Sequence, residues 1–255
     1  MSDFDRRHMK ILTNSANFTA SLSTLFYADS NEKSVLRHKL RQILADSQCD
    51  DAIDLGAGPG LVAEVLQQHA KNLTLVEITS EYYDDLKKKF PQARIEIQSI
   101  LDFRFSQQYD LMLLSHVLYY IAVDEWENIL KKLYANLAPG GKLILVHAPC
   151  HHIHYLFNAS LAPNFAYMNE KAIHSLMERI GPYTTDHYLS VSYYSDNPTH
   201  VFAKKFASYF FGISDESLFE NCQNELDQLL ALFSNENNKL SLEFHSDIYL
   251  FHKPV

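Results

Sequence analysis

The sequence lacks the features of a secreted, disulfide-bonded or membrane protein. Its 255 residues contain only three cysteines, Cys49, Cys150 and Cys222, and no two of them have the spacing of a redox motif or a zinc site. No apolar run is long enough to span a bilayer, and no apolar stretch follows the first residues as it would in a secretory leader. We therefore expect a cytoplasmic protein with reduced thiols and no membrane partner.

Positive charge is also scarce. Lysine and arginine number 22 against 31 aspartate and glutamate residues, which gives a net charge of −9 with neutral histidines. Proteins that bind nucleic acids usually carry a basic surface, so this balance argues against a nucleic-acid partner. The one basic run, Lys87-Lys88-Lys89, ends a predicted helix, where lysines suit the helix dipole.

Glycine is the third scarce residue, and its placement is informative. Three of only seven glycines fall in the run Gly56-Ala57-Gly58-Pro59-Gly60, directly after the apolar stretch 52–55. Glycine is favoured where the backbone needs a positive φ or approaches a ligand closely. A helical pattern with Pro59 near its start follows, and then a short apolar strand that ends in Glu77. A nucleotide-binding βαβ unit has this order of elements: a strand, a glycine loop, a helix, a second strand and an acid. The acid can accept both ribose hydroxyls.

The spacing of the glycines distinguishes between cofactors. Dinucleotide folds use G-x-G-x-x-G/A, but here the third position is Leu61 and the third glycine comes one residue early, at Gly60. The D-x-G-x-G-x-G run that begins at Asp54 instead resembles the first motif of class I S-adenosylmethionine-dependent methyltransferases. A dinucleotide enzyme and a glycine-rich turn without a ligand are the two alternatives.

The rest of the chain predicts alternating strands and helices. Strands are predicted at 51–55, 73–77, 94–98, 109–115, 142–147, 186–194 and 240–252, and helices at 32–44, 60–69, 81–90, 124–137, 169–180 and, as a pair, 199–233. This pattern predicts an α/β, Rossmann-like fold with a mostly parallel sheet, a C-terminal antiparallel strand and a helical lid over the cofactor cleft. We expect one domain over 1–255, with a helical cap (1–46), a cofactor-binding core (47–198), a helical insertion (199–238) and a last strand (239–255).

A second motif extends the resemblance. The run 137–143, Leu-Ala-Pro-Gly-Gly-Lys-Leu, is similar to the LxPGGxL turn before strand five of class I methyltransferases, so the likeness covers about residues 50–147. It implies S-adenosylmethionine as cofactor and S-adenosylhomocysteine as product. In this pattern the glycines hold the methionine portion, Glu77 binds the ribose, and Ser99 stands where an aspartate usually contacts adenine. The implied cofactor-binding residues are Asp54, Gly56, Gly58, Gly60, Glu77, Ile78, Tyr82, Ser99, Ile100 and Ser115.

A closer resemblance is to histamine N-methyltransferase and its relatives. It rests on Leu118-Tyr119-Tyr120 after strand four, the long helix that follows, and the helical insertion before the last strand. It implies that His116, Tyr119 and Tyr120 form the catalytic face, and that Ile153 and Phe157 bind the substrate. The glutamate that binds the histamine-type amine is replaced by Asn17, so we expect histamine to be a poor substrate.

Methyl transfer from a sulfonium is an in-line displacement, for which the protein mainly supplies alignment. A base is needed only when the nucleophile arrives protonated, and His116 is the candidate, with a hydrogen-bonded wall residue as the alternative. Tyr119 and Tyr120 form aromatic walls, either by plain packing or with a cation–π contact to a substrate nitrogen. The run His151-His152-Ile153-His154 lacks zinc spacing, so no metal is predicted.

The sequence thus predicts methylation of a small molecule, on an amine or else on a hydroxyl. No D/N-P-P-Y/F motif, typical of amino-methylation of nucleic-acid bases and of glutamine, follows strand four. An RNA or protein methyltransferase and a non-catalytic S-adenosylmethionine-binding module are the alternatives.

Overall fold

The computed structural model describes residues 30–148, 170–194 and 242–255. Within these residues one sheet contains seven strands: β1 (Cys49–Leu55), β2 (Ala70–Glu77), β3 (Arg94–Ile97), β4 (Tyr109–Ser115), β5 (Leu137–His147), β6 (Thr184–Tyr194) and β7 (Leu242–His252). The described helices are α1 (Glu32–Ile43), α2 (Ala63–His69), α3 (Tyr83–Lys89), α4 (Trp126–Asn136) and α5 (Glu170–Ile180), with 3₁₀ turns at Ser80–Tyr82, Leu118–Tyr120 and Val123–Glu125.

The strand order is β3-β2-β1-β4-β5-β7-β6. Strands β1 to β5 pair in parallel, and β7 pairs antiparallel to β5. The predicted Rossmann-like fold, mostly parallel with an antiparallel C-terminal strand, is confirmed. Because β1 and β4 are neighbours at the centre, the loops after them meet at the same edge of the sheet, where ligands of such folds bind.

Burial explains the central strands. Leu111, Met112, Leu113 and Leu114 of β4 are all buried, as expected for a parallel strand covered on both faces. On one face Met112 and Leu114 join a core to which α4 contributes Trp126, Ile129, Leu130 and Leu133. The apolar spacing of α4 therefore presses one side of the helix onto the sheet, next to the loop that follows β4.

Several predicted boundaries are wrong: β1 begins at Cys49 and β2 at Ala70, two and three residues earlier than predicted, and the starts of α2 and β5 also differ. Helix α2 begins at Ala63, not at residue 60, because the preceding segment is a tight turn in which the Gly60 N–H donates to the Ala57 oxygen at 2.9 Å. Strand β5 begins at Leu137, not at Lys142, because Leu137 pairs with Tyr109 before a register shift. Gly140 lies in this shifted part at φ 73°, and its N–H donates to the Lys253 oxygen at 3.1 Å.

The chain divides into two compact units. One comprises Leu36–Pro149, Tyr167–Ser190 and Ser246–Val255, and contains the glycine loop. The other comprises Met1–Val35, Cys150–Ala166 and Val191–His245. In the second unit, Asn31 and Tyr193 are joined by Asn31 N–H to Tyr193 O (3.2 Å) and by Tyr193 N–H to Asn31 Oδ1 (2.7 Å).

The predicted division into cap, core, insertion and last strand stays a prediction. Residues 1–29 of the cap and all of the insertion at 199–238 lie outside the described residues. None of the described helices is long and apolar enough to cross a membrane.

Candidate functional site

The glycine loop after β1 is fixed by the neighbouring strand. The N–H groups of Gly56 and Ala57 both donate to the Val76 oxygen of β2, at 2.8 and 3.0 Å. A Cβ on Gly56 would run into Val117 Cγ2, so this glycine lets the loops after β1 and β4 touch. At Gly60 a Cβ would meet Phe90 and Leu86 at the end of α3, at 2.5 and 2.8 Å.

Gly58 is different from the other two glycines. It has a φ of 53°, which strains any residue with a side chain, yet a Cβ built on it would meet nothing within 4 Å. The loop thus turns away from the protein at Gly58 and leaves space beside its backbone. The sequence predicts that a ligand lies close to the backbone at this glycine.

Glu77 joins the glycine loop to the end of β2. Its carboxylate accepts the N–H of Gly58 at Oε2 and the N–H of Thr79 at Oε1, both at 2.8 Å, and the residue is 6% exposed. An ionised carboxylate has about four lone-pair positions, so two backbone bonds leave acceptor capacity for further donors. Glu77 therefore both orients the loop and presents a negative charge beside Gly58.

The predicted adenine-side residues follow β3. The Gln98 N–H donates to the Glu77 oxygen at 2.8 Å, which places Ser99 next to the end of β2. The Ser99 hydroxyl accepts the Leu101 N–H at 3.2 Å and keeps its own proton for donation. Ile100 and Tyr82 are buried at 8% and 6% exposure, whereas Ile78 is 63% exposed.

The end of β4 holds two further predicted residues. Ser115 pairs with Val146 of β5, and its buried Oγ has no hydrogen-bond partner among the described residues. His116 follows at φ 57°, the one described non-glycine residue with a positive φ, while its N–H still donates to the Val146 oxygen at 2.9 Å. Such backbone strain tends to occur at functional sites, since it persists only where the surroundings impose it.

Trp126 holds the loop after β4. Its indole Nε1–H donates to the oxygens of Leu118 and Ile121, at 2.9 and 3.0 Å, and the ring is buried. The 3₁₀ turn that contains Tyr120 is thus anchored to the first turn of α4. Tyr120 is half-buried. The side chain of Tyr119 lies outside the described part of the structure.

Two more side chains, those of Ser246 and His147, interact with His116. Ser246 Oγ on β7 lies 3.4 Å from His116 Nε2. His147 at the end of β5 is 1% exposed and packs edge-on to Trp126, with ring centroids 6.4 Å apart. Burial, with the positive charge of His116 as a smaller cause, lowers the pKa of His147 to about 3, so its ring is neutral.

The structure therefore brings Gly56, Gly58 and Glu77 together at the carboxyl edge of the sheet and places Ser99 beside them. The contacts join Gly56 to the loop after β4, Gly58 to Glu77, and Glu77 to the residue before Ser99. Asp54 stays inside β1, paired with Leu75 and Leu113, and is buried. Asn17, Ile153, Phe157 and the histidine run at 151–154 lie outside the described residues, so their roles stay predictions.

Sequence reasoning missed several residues of this site. Thr79, Val117 and Ser246 contribute a backbone N–H, a packing surface and a hydroxyl, and no spacing rule identifies such contacts. Trp126 could have been noticed, because it is the single tryptophan of the chain and lies in the first turn of the predicted helix after strand four. Among the residues that the structure describes, no group of three or more His, Cys, Asp or Glu side chains could hold a metal ion.

Comparisons with known proteins fit this geometry. The family model described as "Methyltransferase domain" matches residues 28–185. Nodulation protein S of Rhizobium tropici is 28% identical over 105 residues, which make up 40% of this chain and 44% of that protein. The chain matches less than half the length of the curated relatives, between 36% and 44%.

Two solved structures show the likeness of the fold. The N-methyltransferase NodS of Bradyrhizobium japonicum, in complex with S-adenosyl-L-homocysteine, superposes with a TM-score of 0.55 at 16% identity and covers 86% of each chain. The YcgJ protein of Bacillus subtilis has a TM-score of 0.60 at 13% identity, covering 86% of this chain and 99% of that one.

Proposed function

The chain belongs to the methyltransferase domain family with S-adenosylmethionine as its cofactor, and we propose that it transfers the cofactor's methyl group to an amine nitrogen of a small molecule. Family membership confirms the resemblance that the glycine motif carries. The closer likeness to histamine N-methyltransferase gains no support from the relatives. The choice of nitrogen rests on nodulation protein S, 28% identical over the matched segment, and on the NodS structure, which is that of an N-methyltransferase.

The residues at the sheet edge fit this cofactor. Gly58 has open space where its side chain would be, as a ligand lying against the loop requires. Ser115 Oγ is buried with no hydrogen-bond partner among the described residues, so a polar ligand atom could satisfy it. The observation that carries the proposal is the Glu77 carboxylate, which the N–H groups of Gly58 and Thr79 hold at the end of β2.

In the proposed arrangement each described residue has one task. Glu77 accepts the ribose hydroxyls, Ser99 and Ile100 hold the adenine side, and the backbone of the glycine loop holds the methionine side. When bound, S-adenosylmethionine supplies a methyl group activated by its positive sulfur. His116 accepts the proton of an amine that arrives charged, which is the role expected of a histidine near neutral pH.

We assign the substrate side to residues that the sequence analysis identified. Tyr119 and Tyr120 form aromatic walls of the acceptor site, and Asn17, Ile153 and Phe157 are further candidates for binding the acceptor. An aromatic, weakly charged site of this kind suits a flat, partly apolar amine. We also propose a cytoplasmic reaction, because the three scattered cysteines form no disulfide framework, and an acceptor other than nucleic acid, because the net charge is −9.

The test is release of S-adenosylhomocysteine from S-adenosylmethionine over a panel of small amines, each paired with the alcohol or phenol of the same skeleton. We expect turnover with amines and a mass gain of one methyl group on nitrogen. The control is Glu77→Gln, which keeps the shape of the side chain but removes the charge. It should weaken cofactor binding by about tenfold or more, because hydrogen bonds to a charged group are worth roughly 1.5–3 kcal/mol.

Three outcomes would contradict the proposal. Turnover confined to the alcohols or phenols would move the reaction to oxygen. Turnover with RNA or protein alone would replace the small-molecule acceptor. Tight binding of S-adenosylhomocysteine with no turnover on any acceptor would indicate a binding module.

A further inference from the structure

An ionic network from three helices reaches the glycine loop. Lys89 at the end of α3 donates from Nζ to the Gly60 oxygen at 3.2 Å and pairs with Glu64 Oε1 of α2 at 2.6 Å. The other oxygen of that carboxylate, Glu64 Oε2, accepts a hydrogen bond from Arg37 Nη1 of α1 at 2.7 Å. Lys89 is thus the member of the network that contacts the loop.

The network is partly shielded from solvent. The side chains of Arg37, Glu64 and Lys89 are 28%, 30% and 30% exposed. Burial alone would raise the pKa of Glu64, but the hydrogen bond from Lys89 and the charges of Lys89 and Arg37 outweigh it and lower the pKa. Glu64 therefore stays ionised near neutral pH, and it holds the Lys89 ammonium where it can reach the Gly60 oxygen.

Contacts with Phe90 and Leu86 support the same geometry. The Lys89 ammonium lies 5.5 Å from the centre of the Phe90 ring, and Phe90 and Leu86 fill the space next to Gly60. The Gly60 peptide is thus enclosed by α3 on its apolar side and bonded to Lys89 through its oxygen.

We infer that Lys89 is a positioning residue for the cofactor, acting through the Gly60 carbonyl. In a planar trans peptide the C=O and the following N–H point in opposite directions. A fixed Gly60 oxygen therefore fixes the direction of the Leu61 N–H, and with it the last peptide of the glycine loop. The inference rests on the proposed function, since it takes the loop to hold S-adenosylmethionine.

Lys88 gives a matched control. It neighbours Lys89 on the same helix, carries the same charge and is exposed. Lys88→Met and Lys89→Met change the net charge equally, so a difference between them isolates the contact with the loop. Lys89→Arg keeps a donor and a charge, and tests rescue.

The experiment measures binding of S-adenosylhomocysteine to the full chain by calorimetry, and hydrogen exchange of the amides of Ala57, Gly58, Gly60 and Leu61 in the absence of ligand. We expect Lys89→Met to weaken binding about tenfold and to speed exchange of the loop amides, with Lys89→Arg within about threefold of the wild type and Lys88→Met unchanged. In turnover, Lys89→Met should raise the KM for S-adenosylmethionine and leave kcat nearly constant.

Binding by Lys89→Met within twofold of the wild type would overturn the inference, as would an equal loss in Lys88→Met. If Lys89→Met does not fold, Glu64→Gln decides: weaker binding with faster loop exchange supports the network, and unchanged values overturn it. A wild-type chain that does not bind S-adenosylhomocysteine would count against the proposed function. A wild type that binds while Lys89→Met binds equally well would count against Lys89 alone.

Discussion

All three glycines of the loop after β1 have a positive φ, but their surroundings differ. Gly56 and Gly60 are packed against Val117 and Phe90, so side chains there would collide with protein. Gly58 has no neighbour at its Cβ position, so the requirement there comes from its φ of 53° and from the space beside it. In this motif, Gly56 and Gly60 are therefore needed for packing of the fold, and Gly58 leaves space in which a ligand can bind.

Gly58→Val should abolish cofactor binding and leave the fold intact. The added side chain enters space that we assign to the methionine portion of the cofactor. The matched control is Gly140→Val, since Gly140 also has a positive φ, 73°, but lies at the start of β5, away from the loop. Calorimetry with S-adenosylhomocysteine and far-UV circular dichroism check this. Retained binding in Gly58→Val, or equal loss in both variants, would mean that the loop does not hold the ligand.

Because the His147 ring is buried, we expect the stability of the fold to depend on pH. Its pKa is about 3 in the folded chain, chiefly because burial disfavours the charged ring, against about 6.5 when unfolded. Between these values the unfolded state binds a proton that the folded state does not. The stability due to the neutral ring is therefore present above pH 6.5 and is lost as the pH falls towards 3, at up to roughly 1.4 kcal/mol per pH unit.

His147→Leu tests this, because leucine fills a similar volume and does not titrate. Urea unfolding at several pH values between 7.5 and 4.5 should show the wild type losing stability faster than the variant as the solution is acidified. Parallel curves for the two proteins would show that His147 is not the group responsible.

At the scale of elements, the loop after β4 depends on α4. The indole of Trp126 at the first turn of α4 satisfies two loop carbonyls, while the apolar face of the helix packs on the sheet. The loop that contains His116 and Tyr120 thus takes its shape from a helix that follows it in sequence.

Trp126→Phe should destabilise the chain by about 2–4 kcal/mol, since it removes one donor from two buried carbonyls and shrinks a core ring. It should raise the KM for the acceptor more than the KM for S-adenosylmethionine. The control on the same helix is Tyr134→Phe, which loses a more exposed hydrogen bond, 2.6 Å long, to the Pro182 oxygen. Urea unfolding and steady-state kinetics give the measurements. Equal changes in both KM values would contradict a specific effect on this loop.

The elements show how far the sequence could predict the fold. Strand β4 begins and ends as predicted at Tyr109 and Ser115, because its apolar run is bounded by polar residues. The start of α2 cannot be predicted from the local sequence, because it depends on the hydrogen bond from the Gly60 N–H to the Ala57 oxygen within the turn. The start of β5 cannot be predicted from the local sequence, because Pro139-Gly140-Gly141 indicates a turn, whereas the start depends on the pairing of Leu137 with Tyr109.

At the scale of the whole molecule, the site joins residues that are far apart in sequence. Gly58 and Glu77 follow neighbouring strands, and alternation of strands and helices was enough to predict that they meet. The contact of His116 with Ser246 spans 130 positions and depends on β7 returning beside β5. Local patterns therefore predict the loop that we assign to the cofactor better than the surroundings of His116, which depend on long-range pairing.

The choice of acceptor and the removal of its proton can be tested together. In the proposed function Asn17 supplies no negative charge to the acceptor, so we expect histamine to be a poor substrate or none, and small aromatic or heterocyclic amines to be better. If His116 accepts the acceptor's proton, its loss should slow transfer more at pH 6.5 than at pH 9, where more of the amine is already neutral.

The variant for this test is His116→Asn, because asparagine tolerates the left-handed φ of 57° at this position better than alanine does. The control is His38→Asn on the exposed side of α1, which should have no effect at either pH. Rates of S-adenosylhomocysteine release under saturating cofactor give the comparison. Efficient turnover of histamine would refute the substrate argument. A rate loss of equal size at both pH values would make His116 part of the wall of the site, and the acceptor would then have to arrive already neutral.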